Sequence, residues 1–483
     1  MGRAEARGAR SRRCWMILAL ALALLPAPAL AADAGQEGFA IERVTVIDAV
    51  HGVRTDQRVV VKGDAIVAVA AMDEPAVAVG ETVDGTGRYL IPGLWDMHVH
   101  FLYDESLTDA MPELFLRYGV TSVRDTGGDV DRLAALREAL ESSDAPAPRV
   151  FISGPLQDGE HVVYDGGDPG RPPLGASVPS VDAAERSVAR LAAAGADFIK
   201  VYELVQPEVF RALVAAARER RLPIAAHVPL TMVADEAGAL VDSMEHLRNV
   251  ELACAGDWQA LLAARRERII AFDGRGYDLR SDIHRRQRLP AIADYDAARC
   301  DRVLKALGRT IQVPTLRLNA FPLARPYQRA DWPEAFAALP EPTRTAWQVE
   351  LERLAESPAE DLRFAEWSLF LAGRMHAAGV PIGAGTDTPI TQAIPGYSLH
   401  TELELLVRSG LTPMQALHAA TVQPARFFGM TGELGSIAPG MRADLVLLRD
   451  DPLEDITHTR AIGGVVSRGR WVVAPQPRAG GSG

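Results

Sequence analysis

Lysine is scarce in this chain of 483 residues. Only three of the 51 basic residues are lysine, at positions 62, 200 and 305, and the others are arginine. The formal net charge is −12, which argues against nucleic-acid binding, because that function needs a basic surface. Hydrophobic residues make up 48% and charged residues 24%, so the composition predicts a globular protein with a sizeable core.

Cysteine is equally rare, with residues at positions 14, 254 and 300 and no CxxC cluster. A metal site built on cysteine is therefore not expected. Cys254 and Cys300 lie far from the N-terminus, and the sequence is compatible both with a disulfide between them and with two free thiols.

Long apolar runs are also missing, and the longest lies at the N-terminus. A basic stretch is followed by "WMILALALALLPAPAL", which is too short and too interrupted by proline to span a membrane, and then by the small residues of "ALAAD". This order predicts a signal peptide over residues 1–31, export to the periplasm or outside the cell, and no membrane span after cleavage. "SRRCWM" resembles a twin-arginine signal, and an ordinary secretory signal fits equally well.

The two ends of the remaining chain are rich in β-strand patterns. Residues 32–90 and 433–475 carry short β-rich runs separated by turn signals, which predicts one small β-sandwich domain formed by both termini. Residues 476–483 are expected to be a disordered tail.

Residues 91–432 alternate apolar runs with helical segments. The eight candidate strands are "LIPGLWDMHVH", "VTSVRDT", "RVFISGP", "DFIKVYE", "PIAAHVP", "SMEHL", "TIQVPT" and "PIGAGTD". This alternation predicts an α/β fold, a (β/α)8 TIM-type barrel, with helical insertions near 252–305 and 320–370.

Polar groups with metal-binding capacity fall at the ends of these strands. They are His98, His100, Lys200, His227, His246 and Asp387. In such barrels the C-terminal strand ends form the active site. Residues i and i+2 of a strand point to one face, so His98 and His100 can bind one ion. Histidines with a carboxylate suit Zn²⁺ or a similar divalent metal.

Each of these residues is weak evidence alone, because a lone histidine on a strand is more often a core residue than a ligand. All six lie at the ends of predicted strands, and chance does not readily explain this common position. The other histidines, apart from His161, are interpreted as structural or surface residues, His284 among them.

At this point the motifs "LIPGLWDMHVH", "FIKV", "AAHV", "MEHL" and "GAGTDTP" resemble the metal-dependent amidohydrolase superfamily, as does the C-terminal "MTGELGSIAPGMRADLVLL". The resemblance covers residues from about 40 to 475 and is strongest to its imidazolonepropionase-like and prolidase-like amidohydrolases. These cleave amide bonds of dipeptides and N-acyl amino acids.

The resemblance implies a centre of two divalent metals, with Zn²⁺ expected. By position, the first metal takes His98, His100 and Asp387, the second takes His227 and His246, and a carboxylated Lys200 bridges them. Chemistry supports a lysine here, because only an unprotonated primary amine forms a stable carbamate, and burial lowers the pKa of lysine from ~10.4. The implied reaction is hydrolysis by a metal-bridging hydroxide, with Asp387 as general acid and base.

Four residues are candidates for substrate contact. His161 lies after the third strand, Tyr202 shares the facing of Lys200, and Arg124 and Arg317 lie near the ends of strands two and seven. The arginines could pair with a substrate carboxylate, but ordinary salt bridges explain them at least as well.

Other functions stay open beside the amidase or dipeptidase hypothesis. They are a mononuclear deaminase or imidazolonepropionase-like cyclic amide hydrolase, a lactonase or phosphotriesterase, and a non-catalytic binding barrel. Lys200 argues against the mononuclear hypothesis, since those relatives generally lack this lysine. The expected partner is a small amide or dipeptide, and the sequence leaves a homo-oligomer open.

Overall fold

The computed structural model describes residues 38–167, 172–356 and 361–475. The predicted signal peptide (1–31) and the predicted tail (476–483) lie outside these ranges. No helix in the described ranges is long and apolar enough to cross a bilayer.

The strands and helices follow one another in mixed order along the chain. The strands are β1 (Phe39–Asp48), β2 (Gly52–Lys62), β3 (Ala65–Ala71), β4 (Glu81–Asp84), β5 (Tyr89–Pro92), β6 (Leu94–Val99), β7 (Val120–Asp125), β8 (Arg149–Ile152), β9 (Leu156–Asp158), β10 (Gly175–Ser177), β11 (Ile199–Val201), β12 (Ile224–Ala226), β13 (Ser243–Glu245), β14 (Ile311–Val313), β15 (Leu445–Leu448), β16 (Ile462–Ser467) and β17 (Arg470–Val473). The α-helices are α1 (Met111–Arg117), α2 (Val130–Ser142), α3 (Val181–Ala193), α4 (Pro207–Glu219), α5 (Ala234–Gly238), α6 (Val250–Ala253), α7 (Trp258–Ile270), α8 (Gly276–Ala293), α9 (Ala297–Ala306), α10 (Leu316–Asn319), α11 (Trp332–Ala337), α12 (Glu341–Glu356), α13 (Arg363–Ala377), α14 (Tyr397–Arg408), α15 (Pro413–Ala419) and α16 (Val422–Phe427).

Strands from both ends of the chain form one eight-stranded sheet. Its order is β17-β16-β15-β5-β1-β2-β3, with β4 beside β1. The two ends of the chain meet where β15 pairs antiparallel with β5, Leu445 opposite Pro92. Alternate apolar residues of β1, β2 and β15 pack into a core of their own, which includes Ile41, Val59 and Leu445. The structure contains one continuous sheet. Its packing as a two-layer sandwich stays a prediction, as do the domain limits.

The middle of the chain contains two parallel sheets. One has the order β6-β7-β8 and the other β10-β9-β11-β12-β13-β14. These strands are short and mostly buried, as in Ile199–Val201 and Ile224–Ala226, because helices cover them. α3 and α4 supply part of that cover through Val188, Leu191 and Leu213.

The predicted eighth strand is not a regular strand. Residues 382–388 make two isolated parallel bridges, Ile382 with Gln312 and Thr388 with Val99, and so join β14 to β6. Between the two sheets, the Asp197 amide donates to the Ile152 carbonyl at 2.8 Å. Regular pairing is interrupted at both places, so the described residues contain no continuously paired closed barrel.

The two predicted insertions contain helices. Residues 252–305 include α7, α8 and α9, and residues 320–370 include α11, α12 and part of α13. A disulfide joins Cys254 to Cys300, which decides between the two states that the sequence left open.

Replacement of both cysteines by serine should lower the free energy of unfolding by about 2–4 kcal/mol. The two cysteines are 46 residues apart in sequence, and without the bond the unfolded chain gains conformational freedom. Urea denaturation of the oxidised protein and of the double variant measures the difference. Wild-type protein in reductant is the control and should match the variant. Equal midpoints for all three samples would show that the disulfide does not stabilise the fold.

Candidate metal centre

The six predicted metal ligands lie at neighbouring strand ends and are all buried. His98 and His100 end β6, Lys200 lies in β11, His227 and His246 follow β12 and β13, and Asp387 lies in segment 382–388. The imidazole rings form a continuous row. Ring centroids are 5.2 Å apart for His98 and His100, 4.5 Å for His98 and His246, and 4.6 Å for His246 and His227.

Asp387 completes a group that could hold a metal ion. Its Oδ1 lies 3.2 Å from Nε2 of His98 and 3.1 Å from Nε2 of His100. One ligand atom from each of the three residues lies within 4.8 Å of the others. A carboxylate and two imidazoles at this spacing are a suitable donor set for a divalent metal.

Neighbouring side chains orient three of the imidazoles by holding Nδ1. His98 Nδ1 lies 2.7 Å from Glu245 Oε2, and His227 Nδ1 lies 2.9 Å from Glu203 Oε1. His246 Nδ1 lies 2.7 Å from Thr315 Oγ1. A partner at Nδ1 leaves Nε2 to face the centre, the arrangement that metal-ligating histidines generally use.

Glycine allows segment 382–388 to lie directly against β6. A Cβ on Gly385 would lie 2.6 Å from a methyl group of Val313 and 3.0 Å from the His98 backbone nitrogen. The Asp387 amide then donates to the His98 carbonyl at 2.7 Å. Asp387 itself has φ 62°, a conformation that non-glycine residues adopt rarely and mostly at functional sites.

Lys200 is the least satisfied polar group of the cluster. Its Nζ is buried without a hydrogen-bond partner and lies 4.0 Å from Glu245 Oε1. Burial lowers the pKa of Lys200 to about 7, although the charge of Glu245 acts in the opposite direction. The amine is therefore available in its unprotonated form near neutral pH.

Burial also keeps the imidazoles neutral. It lowers the pKa of His98, and it lowers those of His227 and His246 well below the usual range. Burial alone would raise the pKa of Asp387, but His246 and His98 outweigh it and hold that pKa well below its usual value. Neutral imidazoles and an ionised carboxylate are the protonation states that bind metals.

Comparisons with known proteins agree with this geometry. Residues 338–472 match the model of the Amidohydrolase family. Over these residues the chain is similar to that family. Ochratoxinase of Aspergillus niger is 41% identical over 81 residues, 16% of this chain and 16% of that protein. Imidazolonepropionase of Deinococcus deserti is 38% identical over 87 residues, 18% of this chain and 21% of that protein. The chain thus spans about a sixth to a fifth of the length of these relatives.

A solved structure of a Xaa-Pro dipeptidase with bound methionine covers far more of the chain. It matches 91% of this chain and 100% of its own, with a TM-score of 0.63 and 20% identity. This likeness shows a TIM-barrel-type α/β fold with an additional sheet, as in other proteins with amidohydrolase domains.

The structure places Arg124 in the interior of the amidohydrolase fold and not at a substrate position. Its guanidinium is fully buried and donates to the Met97 carbonyl, Ser243 Oγ and Glu245 Oε1 at 2.6–2.9 Å. The predicted contact with a substrate carboxylate is therefore replaced by a contact with a carboxylate of the protein.

Arg317 is also used internally. It is 3% exposed and donates to the carbonyls of Thr386, Ile390 and Thr391. Its guanidinium holds the loop that carries Asp387, so no donor pair is directed at a substrate carboxylate.

The two other substrate candidates differ in position. The Tyr202 ring lies 4.4 Å from the His227 ring and borders the histidine row. His161 lines a separate cavity of about 410 Å³, together with Phe272 and Leu279, and none of the six predicted ligands lines that cavity.

Two neighbours of the predicted ligands, Glu203 and Thr315, were not predicted from the sequence. Together with Glu245 they hold the histidines. His284, which was interpreted as a structural or surface residue, is buried, and its Nε2 lies 2.6 Å from the Glu203 carboxylate. The available signal in the sequence was Glu203, a carboxylate three residues after Lys200 that could reach a neighbouring ligand.

Arg124→Met should lower the free energy of unfolding by about 3–5 kcal/mol, because it leaves the buried Glu245 carboxylate without its cation. Urea denaturation measures this loss. Arg190→Met is the matched control, since its ion pair with Asp131 is exposed, and should change stability by less than about 1 kcal/mol. If Arg124→Met were as stable as the wild-type protein and had lost only affinity for substrate, Arg124 would be assigned to substrate binding.

Proposed function

We propose that the chain is an exported, metal-dependent amidohydrolase that hydrolyses dipeptides or N-acyl amino acids with two divalent metals, Zn²⁺ being the expected ion. The observation that carries the proposal is the buried amine of Lys200 at the same site as four buried histidines and Asp387. A buried amine without a hydrogen-bond partner is unfavourable unless it is modified or bound.

The residues present fit such a centre. His98, His100 and Asp387 would hold one ion, His227 and His246 the other, and a carboxylated Lys200 would bridge them. A pKa of about 7 leaves a substantial unprotonated fraction of the Lys200 amine near pH 7, and this fraction can react with CO₂. The product would be an anion in place of a buried cation. The two ions would supply Lewis-acid activation of water and of the scissile carbonyl.

Residues of the chain would transfer the proton and hold the ligands in position. Asp387 would accept a proton from the attacking water and deliver it to the leaving amine as the C–N bond breaks. Glu245, Glu203 and Thr315 keep three imidazoles in fixed orientations, so the ligands need not reorganise. Tyr202 is the candidate side chain for substrate contact beside His227.

The finer fold and location belong to the same proposal. The isolated bridges of residues 382–388 support a (β/α)8 barrel in which this segment takes the eighth strand position. The basic and apolar N-terminal sequence supports export, and a disulfide suits an oxidising compartment. The proposed substrate is a small amide.

Asp387→Asn should lower kcat for a cleaved dipeptide by at least about 100-fold, since it removes the proton acceptor. The test is a panel of Xaa-Pro, Xaa-Arg and other dipeptides and N-acyl amino acids with zinc-loaded enzyme, with metal content measured in parallel. Asp131→Asn, in an exposed pair with Arg190, is the control. Near-normal turnover by a metal-loaded Asp387→Asn variant would exclude the assigned role. No turnover of any substrate would exclude the amidase proposal.

Lys200→Ala should reduce bound zinc from two ions per chain to one or none, because the bridging ligand is lost. Elemental analysis after dialysis measures the ratio without reference to activity. Lys305→Ala, on α9, removes another of the three lysines and should keep both ions. Two ions per chain in an active Lys200→Ala variant would exclude the carbamate.

A further inference from the structure

A cavity lined by arginines borders the candidate metal centre. We name it the arginine pocket and define it by Arg248, Arg280, Arg285 and Arg288; its volume is about 470 Å³. Arg248 lies two residues after His246. The Arg280 guanidinium lies 5.8 Å from the centroid of the Tyr202 ring, which is 4.4 Å from the His227 ring.

A second cavity connects the arginine pocket with the loops of the metal centre. It has a volume of about 420 Å³ and shares Arg248, Asp361 and Phe364 with the arginine pocket. Its wall includes Thr391, four residues after Asp387, and Asn319, whose amide donates to the His246 carbonyl at 2.7 Å. The two cavities thus form a groove beside the loops that follow His246 and Asp387, and none of the six predicted ligands lines it.

Positive charge exceeds negative charge around the arginine pocket. Glu203 is shared by Arg280 at 3.0 Å and Arg248 at 3.5 Å. Glu251 is the nearest carboxylate to Arg288, at 3.9 Å. Three guanidinium groups of the wall, those of Arg248, Arg280 and Arg288, thus lie near two buried carboxylates. The buried Arg265 lies behind the wall and is subject to the charge of Glu251. With Arg265 counted, the excess is two positive charges.

The remaining charged groups at the pocket wall do not reverse the positive excess. Arg285 shares Asp282 with Arg268 and Arg286, and Asp361 pairs with Arg363. His284 is neutral at physiological pH, because burial lowers its pKa to about 3.

The three central arginines also repel one another. Burial lowers the pKa of Arg288 to about 10, and among the neighbouring charges Glu251 raises it while Arg248 and Arg280 lower it. The Arg288 Nε is buried without a hydrogen-bond partner. Like charges that converge in a concave site favour the binding of an anion.

We propose that the arginine pocket binds the acidic C-terminal residue of the substrate, so that the preferred substrates are dipeptides or N-acyl amino acids ending in glutamate or aspartate. The excess of two positive charges matches the two carboxylates of such a residue. This inference rests on the proposed amidohydrolase function and specifies its substrate class.

The test compares Ala-Glu, Ala-Gln and the α-amide of Ala-Glu as substrates of the full, zinc-loaded chain. Ala-Gln keeps the shape and the α-carboxylate of Ala-Glu but loses the side-chain charge. We expect kcat/KM for Ala-Glu to exceed that for Ala-Gln by roughly 10- to 100-fold, mainly through KM. The α-amide, which keeps the side-chain carboxylate, should show an intermediate value.

Arg288→Gln should remove most of this preference by lowering kcat/KM for Ala-Glu while changing Ala-Gln by less than about 3-fold. Arg286→Gln is the matched control, because Arg286 lies on the same helix, is 67% exposed, pairs with Asp282 and lies outside the pocket wall. Calorimetric titration with glutarate tests the pocket without turnover, and Arg288→Gln should weaken binding of this dicarboxylate at least about 10-fold.

The outcomes separate the two proposals. Equal turnover of Ala-Glu and Ala-Gln would overturn the acidic preference and leave the amidohydrolase function standing, with the α-carboxylate alone recognised. Absence of turnover for every dipeptide and N-acyl amino acid would overturn the proposed function and with it the acidic substrate class. Arg248→Gln removes another arginine of the pocket, should reduce the preference in the same way, and covers the case in which Arg288→Gln fails to fold.

Discussion

The buried carboxylate of Glu245 connects most parts of the candidate centre. It accepts hydrogen bonds from Arg124 and Ser243, holds the His98 ring, and lies 4.0 Å from Lys200. Burial alone would raise its pKa, but Arg124 and Lys200 outweigh burial and keep the carboxylate ionised. One negative charge in the interior thus orients a predicted ligand and compensates the buried guanidinium of Arg124 from another strand.

A similar arrangement exists at Glu203 on the neighbouring strand end. Its carboxylate holds His227 and also accepts from Arg280 of the helical insertion. Glu245 fixes the His98 ring and Glu203 fixes the His227 ring, in both cases through Nδ1. Nε2 of each ring is left for a ligand. Thr315 does the same for His246 without a charge.

The sequence was sufficient to predict that these six residues lie together, because they follow a local rule. Each lies at the end of a short apolar run, and parallel strands bring such ends together at one edge of a sheet. The scarcity of lysine drew attention to Lys200 in the same way. The eighth apolar run was harder, since its glycines favour close packing against His98 over regular strand pairing.

The partners of these ligands could not be predicted, since they depend on contacts between distant parts of the chain. Glu245 is 147 residues from His98, and His284 is 81 residues from Glu203. The sequence left two interpretations of Arg124 and Arg317 open for the same reason. An arginine near a strand end can point outward to a ligand or inward to a carboxylate or carbonyls, and only the fold decides between them.

Helix α8 contributes both to the orientation of a predicted metal ligand and to the wall of the proposed substrate pocket. Arg280 and His284 contact the carboxylate that fixes His227, and the same turns of the helix form the wall of the arginine pocket. Laboratory evolution of substrate preference through α8 would therefore act on metal retention at the same time. Variants selected for new substrates should be recovered more often when the growth medium is rich in metal, because excess metal compensates for a less well-ordered histidine.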